Sequence, residues 1–296
     1  MINLIKSYKF AIKYVVGFGT KKIPQNKYKL SIEEYLGLDN NKIPMRIYYS
    51  HKSTKKTIII FLGASPDGEK HVAVNLLAQN LSSLGYNVFI PRIPPLMSLN
   101  ISNENVDWMR HIYNLIHKRK DVDSDNIIGF GISYGGGMLL KASLELEFQR
   151  NPLKSIYLYG AGCNAETILK FITKGEFEVQ GNIVKIKPHE WGLTVFFHHF
   201  IDEIDFGFSN EKIKEVLQLR VENKKDESNK KIEELNDQEQ NIAKSITTGK
   251  INQEVQKLVD QILKNKFNYI EDLSCKKICA DVKTKAFILH GANDNM

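Results

Sequence analysis

Cysteine is scarce in this chain of 296 residues, with only Cys163, Cys275 and Cys279 present. An odd count without a CxxC pair argues against a disulfide framework and against a cysteine-based structural zinc site. The pattern reads as three reduced thiols in a reducing, cytoplasmic compartment. Cys275 and Cys279 are four apart, which on a helix is one face and a packing position. Long apolar runs are also missing. None approaches the roughly 18–20 residues that span a bilayer, so no spanning helix is expected. The remaining composition, 42% hydrophobic and 25% charged, is that of a globular protein and excludes wholesale disorder, collagen and coiled coil.

Acid is absent from one end. Residues 1–30 hold seven lysines and no Asp or Glu, while the formal net charge of the whole chain is +7. The rest is therefore neutral, which removes most of the case for a basic nucleic-acid-binding domain. In residues 1–22, Lys6, Lys9 and Lys13 would form one stripe of a helix, with Ile5, Tyr8, Phe10, Ile12, Val15, Val16 and Phe18 filling the remainder. Such a helix suits an anionic membrane surface, which would make the protein peripheral to a membrane. It equally suits packing on the protein's own body with lysines outward. Residues 1–27 are read as this arm.

From residue 28 the chain alternates. Tyr28–Tyr35 and Ile43–Tyr49 flank the turn signal Asp39-Asn40-Asn41 and predict a hairpin. Thr57–Leu62 is a run of the type buried on both faces of a sheet. A helix is expected up to about Leu84, a strand at Tyr86–Ile90, a helix over Val106–His117 and a strand at Asn126–Phe130. Strand–helix alternation predicts an α/β fold with a mostly parallel sheet and helices on both faces. Chemistry in such sheets lies beyond the carboxyl ends of the strands.

One such end reads Gly131-Ile132-Ser133-Tyr134-Gly135, between a strand and a helix expected over Met138–Phe148. A serine on a sharp strand-to-helix turn needs small residues two positions before and after it. The turn presents its hydroxyl as a nucleophile, and the N–H of Tyr134 points at the oxyanion. The alternative is a glycine-rich turn that packs a helix tightly on the sheet.

On these residues the chain resembles the α/β-hydrolase superfamily, over 28–162 and 283–296. Gly131–Gly135 resembles its nucleophile elbow, and Gly63-Ala64-Ser65-Pro66 stands where the family places its second oxyanion donor. The resemblance thus implies a donor N–H from Ala64 or Ser65. Leu62-Gly63 replaces the family's His-Gly pair, and Arg92 and prolines stand where an acid often follows the next strand. Ala286–Leu289 runs into His290-Gly291-Ala292-Asn293-Asp294, similar to the family's HGxxD segment, so Asp294 is the expected triad acid. Glu166, in the first turn of a helix capped by Asn164, is a weaker candidate.

The family order is serine, acid, histidine. None of the eight histidines follows Asp294, and His71, near the oxyanion loop, is the one substitute the sequence offers. The expectation is a serine hydrolase lacking its last strand, base and final helix, inactive as it stands. Between Gly162 and the acid strand (284–296), residues 163–283 form an insertion expected to be a helical cap. A helix at Asn164–Thr173 closed by Gly175, a hairpin around Gly181, helices at 211–222 and 232–246 separated by a solvated run, and a stripe over 251–263 are predicted. Trp191, Phe196, Phe197 and Phe200 suggest an apolar acyl pocket, or simply a seal within the cap. The adjacent His198 and His199 lack metal-ligand spacing, and no metal or cofactor is expected. The expected function is hydrolysis of a carboxylic ester or lipid-like acyl substrate through an acyl-enzyme on Ser133. The alternative is a non-catalytic binding protein on the same fold.

Overall fold

The computed structural model describes residues 28–52 and 55–291. The stretch 1–22 and Asp294 both lie outside the described residues. Along the chain come β1 (Tyr28–Leu36), β2 (Lys42–Ser50), β3 (Thr57–Phe61), α1 (Val72–Ser83), β4 (Asn87–Pro91), α2 (Glu104–His117), β5 (Ile127–Ile132), α3 (Tyr134–Ala142), α4 (Leu146–Arg150) and β6 (Ser155–Tyr159). They are followed by α5 (Ala165–Lys174), β7 (Glu176–Val179), β8 (Asn182–Lys185), α6 (Glu190–Phe200), α7 (Glu211–Val221), α8 (Lys225–Glu233), α9 (Asp237–Thr248), α10 (Gln253–Leu273) and β9 (Ala286–Leu289). No described helix is long and apolar enough to cross a membrane.

The described residues form two compact units. The first comprises the described residues from Tyr28 to Ser98, with Asn103–Ala161 and Ile278–Leu289. Its seven-stranded sheet runs β1-β2-β4-β3-β5-β6-β9. The β1–β2 hairpin is antiparallel and turns through Asn40 at φ +60°. From β4 onward the strands are parallel. All five residues of β3 and of β4 are buried, as their apolar runs demand. On one face Ile58, Ile60, Val88 and Ile90 pack against Val74 and Ala78 of α1. The alternate residues Ile59, Phe61 and Phe89 point to the opposite face and are fully buried. The mostly parallel sheet with helices is thus the architecture that the alternation predicts.

The sheet order also locates a site. Chain order runs outward from β3 to β4 and then crosses back to β5 on the other side of β3. At such a switch point the connections diverge and leave a crevice beyond the carboxyl ends of the two central strands. Here those ends are Leu62-Gly63 and Ile132-Ser133.

The second unit comprises Gly162–Lys277 with Leu99–Ser102, His290 and Gly291. It is helical apart from the β7–β8 hairpin, and Phe197, Ile213, Leu217, Ile246 and Val259 stand at its centre. Its helix ends follow the local sequence. The Asn164 side chain accepts from the Glu166 N–H at 3.0 Å, and Gly175 closes α5 in the left-handed region at φ +66°. Asn236 and Glu239 form a reciprocal capping box on α9.

Two expectations are corrected. The segment read as a solvated run is largely α8, because Ser228 donates to the Val216 carbonyl at 3.1 Å in the interior and Ile232 is buried. Two anchors fix a helix whose other residues are too polar to show a period. The helix expected over 138–148 starts earlier, directly after Ser133, and breaks before α4. Its glycines mark close approach and do not delay the helix.

Candidate active site

β5 delivers Ser133 to its carboxyl end, and α3 begins at the next residue. Ser133 sits at φ +52°, ψ −132°, a region that L residues rarely occupy. Such a conformation costs on the order of 1–3 kcal/mol and persists only where its surroundings over-determine it. Those surroundings are visible. The Ser133 N–H donates to the Tyr159 carbonyl at 2.8 Å, and the Ser133 carbonyl accepts from the Gly136 N–H at 2.9 Å. A Cβ on Gly131 would lie 2.5 Å from the Gly136 Cα. A Cβ on Gly135 would lie 2.0 Å from the Leu62 carbonyl oxygen. The glycine spacing is therefore a steric requirement of this turn.

The loop after β3 passes beside the serine. A Cβ on Gly63 would lie 3.1 Å from the Ser133 Cβ and 3.4 Å from the Tyr134 nitrogen. Of the two residues offered by the sequence as second oxyanion donor, Ser65 commits its N–H to the Leu96 carbonyl at 3.1 Å. The N–H of Ala64 has no hydrogen-bond partner among the described residues.

Side chains that sequence reasoning missed hold this loop. Glu69 is 2% exposed and accepts two bonds from Arg92, at 2.8 Å from Nε and 2.7 Å from Nη2. That hydrogen bonding raises the Arg92 pKa further above its ordinary value. The Tyr35 hydroxyl donates to the Arg92 carbonyl. Asn75 donates to the carbonyls of Glu69 and His71 at 2.9 and 2.8 Å, and accepts from the Tyr48 hydroxyl at 2.6 Å and from Arg46 at 3.1 Å. A depression of about 10 Å³ beside the loop, room for about one water, is lined by Leu62, Gly63, Pro91, Ile93, Leu96 and Met97, among others. Its walls are mostly apolar.

The proton-transfer partners are another matter. Among the described residues the Ser133 hydroxyl has no hydrogen-bond partner. His111 bonds the Leu36 carbonyl at 2.7 Å, His189 caps α6, and His198 meets Gln218 at 3.2 Å. The Nδ1 of His71 is buried with no partner among the described residues. His199 accepts from the Ile101 N–H at 3.3 Å on Nδ1 and meets the Tyr269 hydroxyl at 3.2 Å on Nε2. Burial first, then the charges of His198 and Lys266, push its pKa down to about 4. Glu166 stands in the first turn of α5.

Phe196, Phe197 and Phe200 lie inside the second unit at 4%, 0% and 2% exposure, and Trp191 is half-buried. The three phenylalanines are thus committed to that unit's own core. Among the described residues no group of three or more His, Cys, Asp or Glu side chains could hold a metal ion.

The strand order and the strained serine between β5 and α3 define an α/β-hydrolase fold. Solved structures with which the chain shares similarity include DcsB in complex with its substrate analogue, at 19% identity over 46% of each chain with a TM-score of 0.38. A bacterial heroin esterase is similar at 14% identity over 54% of this chain and 53% of that one, with a TM-score of 0.39. Brefeldin A esterase is similar at 15% identity over 55% and 50%, with a TM-score of 0.36. The chain spans about half the length of these three. No protein-family model matches the sequence, and no curated protein matches it.

Proposed function

We propose that the site is that of a serine hydrolase acting on carboxylic esters of small or lipid-like acyl groups, with Ser133 as the nucleophile. The observation that carries this reading is the strained Ser133 at the switch point. Strain of this kind is retained where it presents a side chain for chemistry. The hydroxyl attacks the ester carbonyl and forms an acyl-enzyme. The N–H groups of Tyr134 and Ala64 face the developing oxyanion. Asp294, as the acid, would orient and stabilise a protonated imidazole.

A specific observation favours a second reading, a binding protein on the same fold. No described histidine is hydrogen-bonded to Ser133, and without a base the hydroxyl is a weak nucleophile. The chain alone is therefore expected to cleave a short-chain aryl ester at no more than a trace of an ordinary enzymic rate.

Added imidazole separates the two readings by standing in for the base. The hydrolase reading expects ester cleavage to rise with imidazole above the solution reaction, and expects Ser133→Ala to remove that excess. An imidazole response identical in both proteins would support the binding protein. Ordinary enzymic turnover dependent on Ser133 without imidazole would overturn the expected inactivity.

A further inference from the structure

We propose that Cys163 and Cys275 form a disulfide when the protein meets a disulfide oxidant such as oxidised glutathione, clasping the chain where it starts and finishes its passage through the second unit. Three observations carry this.

The Cys275 N–H donates to the Cys163 carbonyl at 2.8 Å. The Ser274 hydroxyl donates to the same carbonyl at 3.0 Å and accepts from the Ala165 N–H at 3.4 Å. Two backbone segments far apart in sequence are therefore held side by side at these two residues. A direct backbone hydrogen bond puts the two main chains in contact at these residues, and a disulfide needs Cα atoms about 4.4–6.8 Å apart.

The position is also informative. The unit's main segment runs Gly162–Lys277, so these cysteines stand one residue inside its start and two inside its end. Two of the three cysteines in the chain meet at that point. The odd count and the missing CxxC hid the pair, because spacing in sequence carries no information about neighbours across an insertion.

Exposure orders the chemistry. No described cysteine is in a disulfide, Cys163 is half-buried, and Cys275 is 1% exposed. Cys163 as thiolate attacks a sulfur of oxidised glutathione, forming a mixed disulfide and releasing one glutathione thiolate. Cys275 then attacks the Cys163 sulfur and releases the second glutathione. Two protein thiols are oxidised to one disulfide, the oxidant is reduced to two thiols, and the two protons leave on them.

The test is non-reducing peptide mapping of the full chain after equilibration with oxidised glutathione, beside the reduced chain. The expected result is one peptide pair linked through Cys163 and Cys275, the loss of two titratable thiols, and a thermal midpoint several degrees above that of the reduced protein. Cys275→Ser is expected to trap glutathione on Cys163, while Cys163→Ser leaves Cys275 a thiol. Cys279→Ala is expected to leave the link unchanged. Retention of all three thiols, a link through Cys279, or a link between two chains would each overturn the proposal. The mapping of the unsubstituted chain decides the matter even if a variant fails to fold.

Discussion

Single side chains decide whether the loop beside Ser133 stays in place. Glu69 is a buried carboxylate whose charge is met by Arg92 on the segment after β4. Removing one partner of such a pair strands the other, at a cost of about 3–5 kcal/mol, whereas replacing both by apolar groups is often neutral. Arg92→Met is therefore expected to lower stability by about that amount, and Glu69→Leu with Arg92→Met to recover most of it. Urea unfolding of the two single variants and the double variant closes the cycle. Equal losses in Arg92→Met and the double variant would show that no stranded charge is involved. None of this could be read in advance. Arg92 stands out in the sequence only as an unexpected residue after a strand, and nothing there singles out Glu69 or Asn75. Their roles come from partners that only the folded sheet brings near.

Elements were legible where local sequence decides them. Thr57–Leu62 has only buried surface to offer, and β3 is where it was expected. Asn164 and Gly175 closed α5 because capping is settled within a few residues. The elbow at Ser133 was legible for the same reason, since glycines two positions either side are a local steric demand. α8 was not, because one tertiary bond from Ser228 and one buried isoleucine hold it. The junction of α3 with β3 gives the sharpest element-scale test. A methyl on Gly135 would meet the Leu62 backbone oxygen, which no side-chain rotation can relieve. Gly135→Ala is expected to destabilise the chain by about 3 kcal/mol or more, with a lower urea midpoint. A midpoint unchanged from the parent would mean that the packing of α3 on the β3 end is looser than the contact implies.

For the whole molecule, two units with separate cores mean that each unfolding free energy, those predicted above for the first unit included, belongs to one unit, as do the pH effects of the groups it holds. His199 titrates in the second unit. Its Nδ1 accepts the Ile101 N–H, so protonation would set two donors face to face. With a folded pKa of about 4 against an ordinary value of about 6.5, the folded unit binds fewer protons than the unfolded one between these values. Stability from this group is full above the upper value and is lost as pH falls towards the lower one. His199→Gln is expected to flatten that slope, read from urea midpoints of a signal specific to the second unit. A slope of the parent's steepness in the variant would assign the acid sensitivity elsewhere.

The backbone at Ser133 also carries a question of handedness. Reversing the signs of its two dihedral angles gives ordinary extended backbone, so the fold asks at this one place for the mirror image of what an L residue prefers. A D-serine would rest there without strain. Glycine, which is achiral, would rest there too, and would relieve the chain at the loss of one hydroxyl group. An L-serine in this mirror-image seat therefore carries a backbone strain that a glycine there would not.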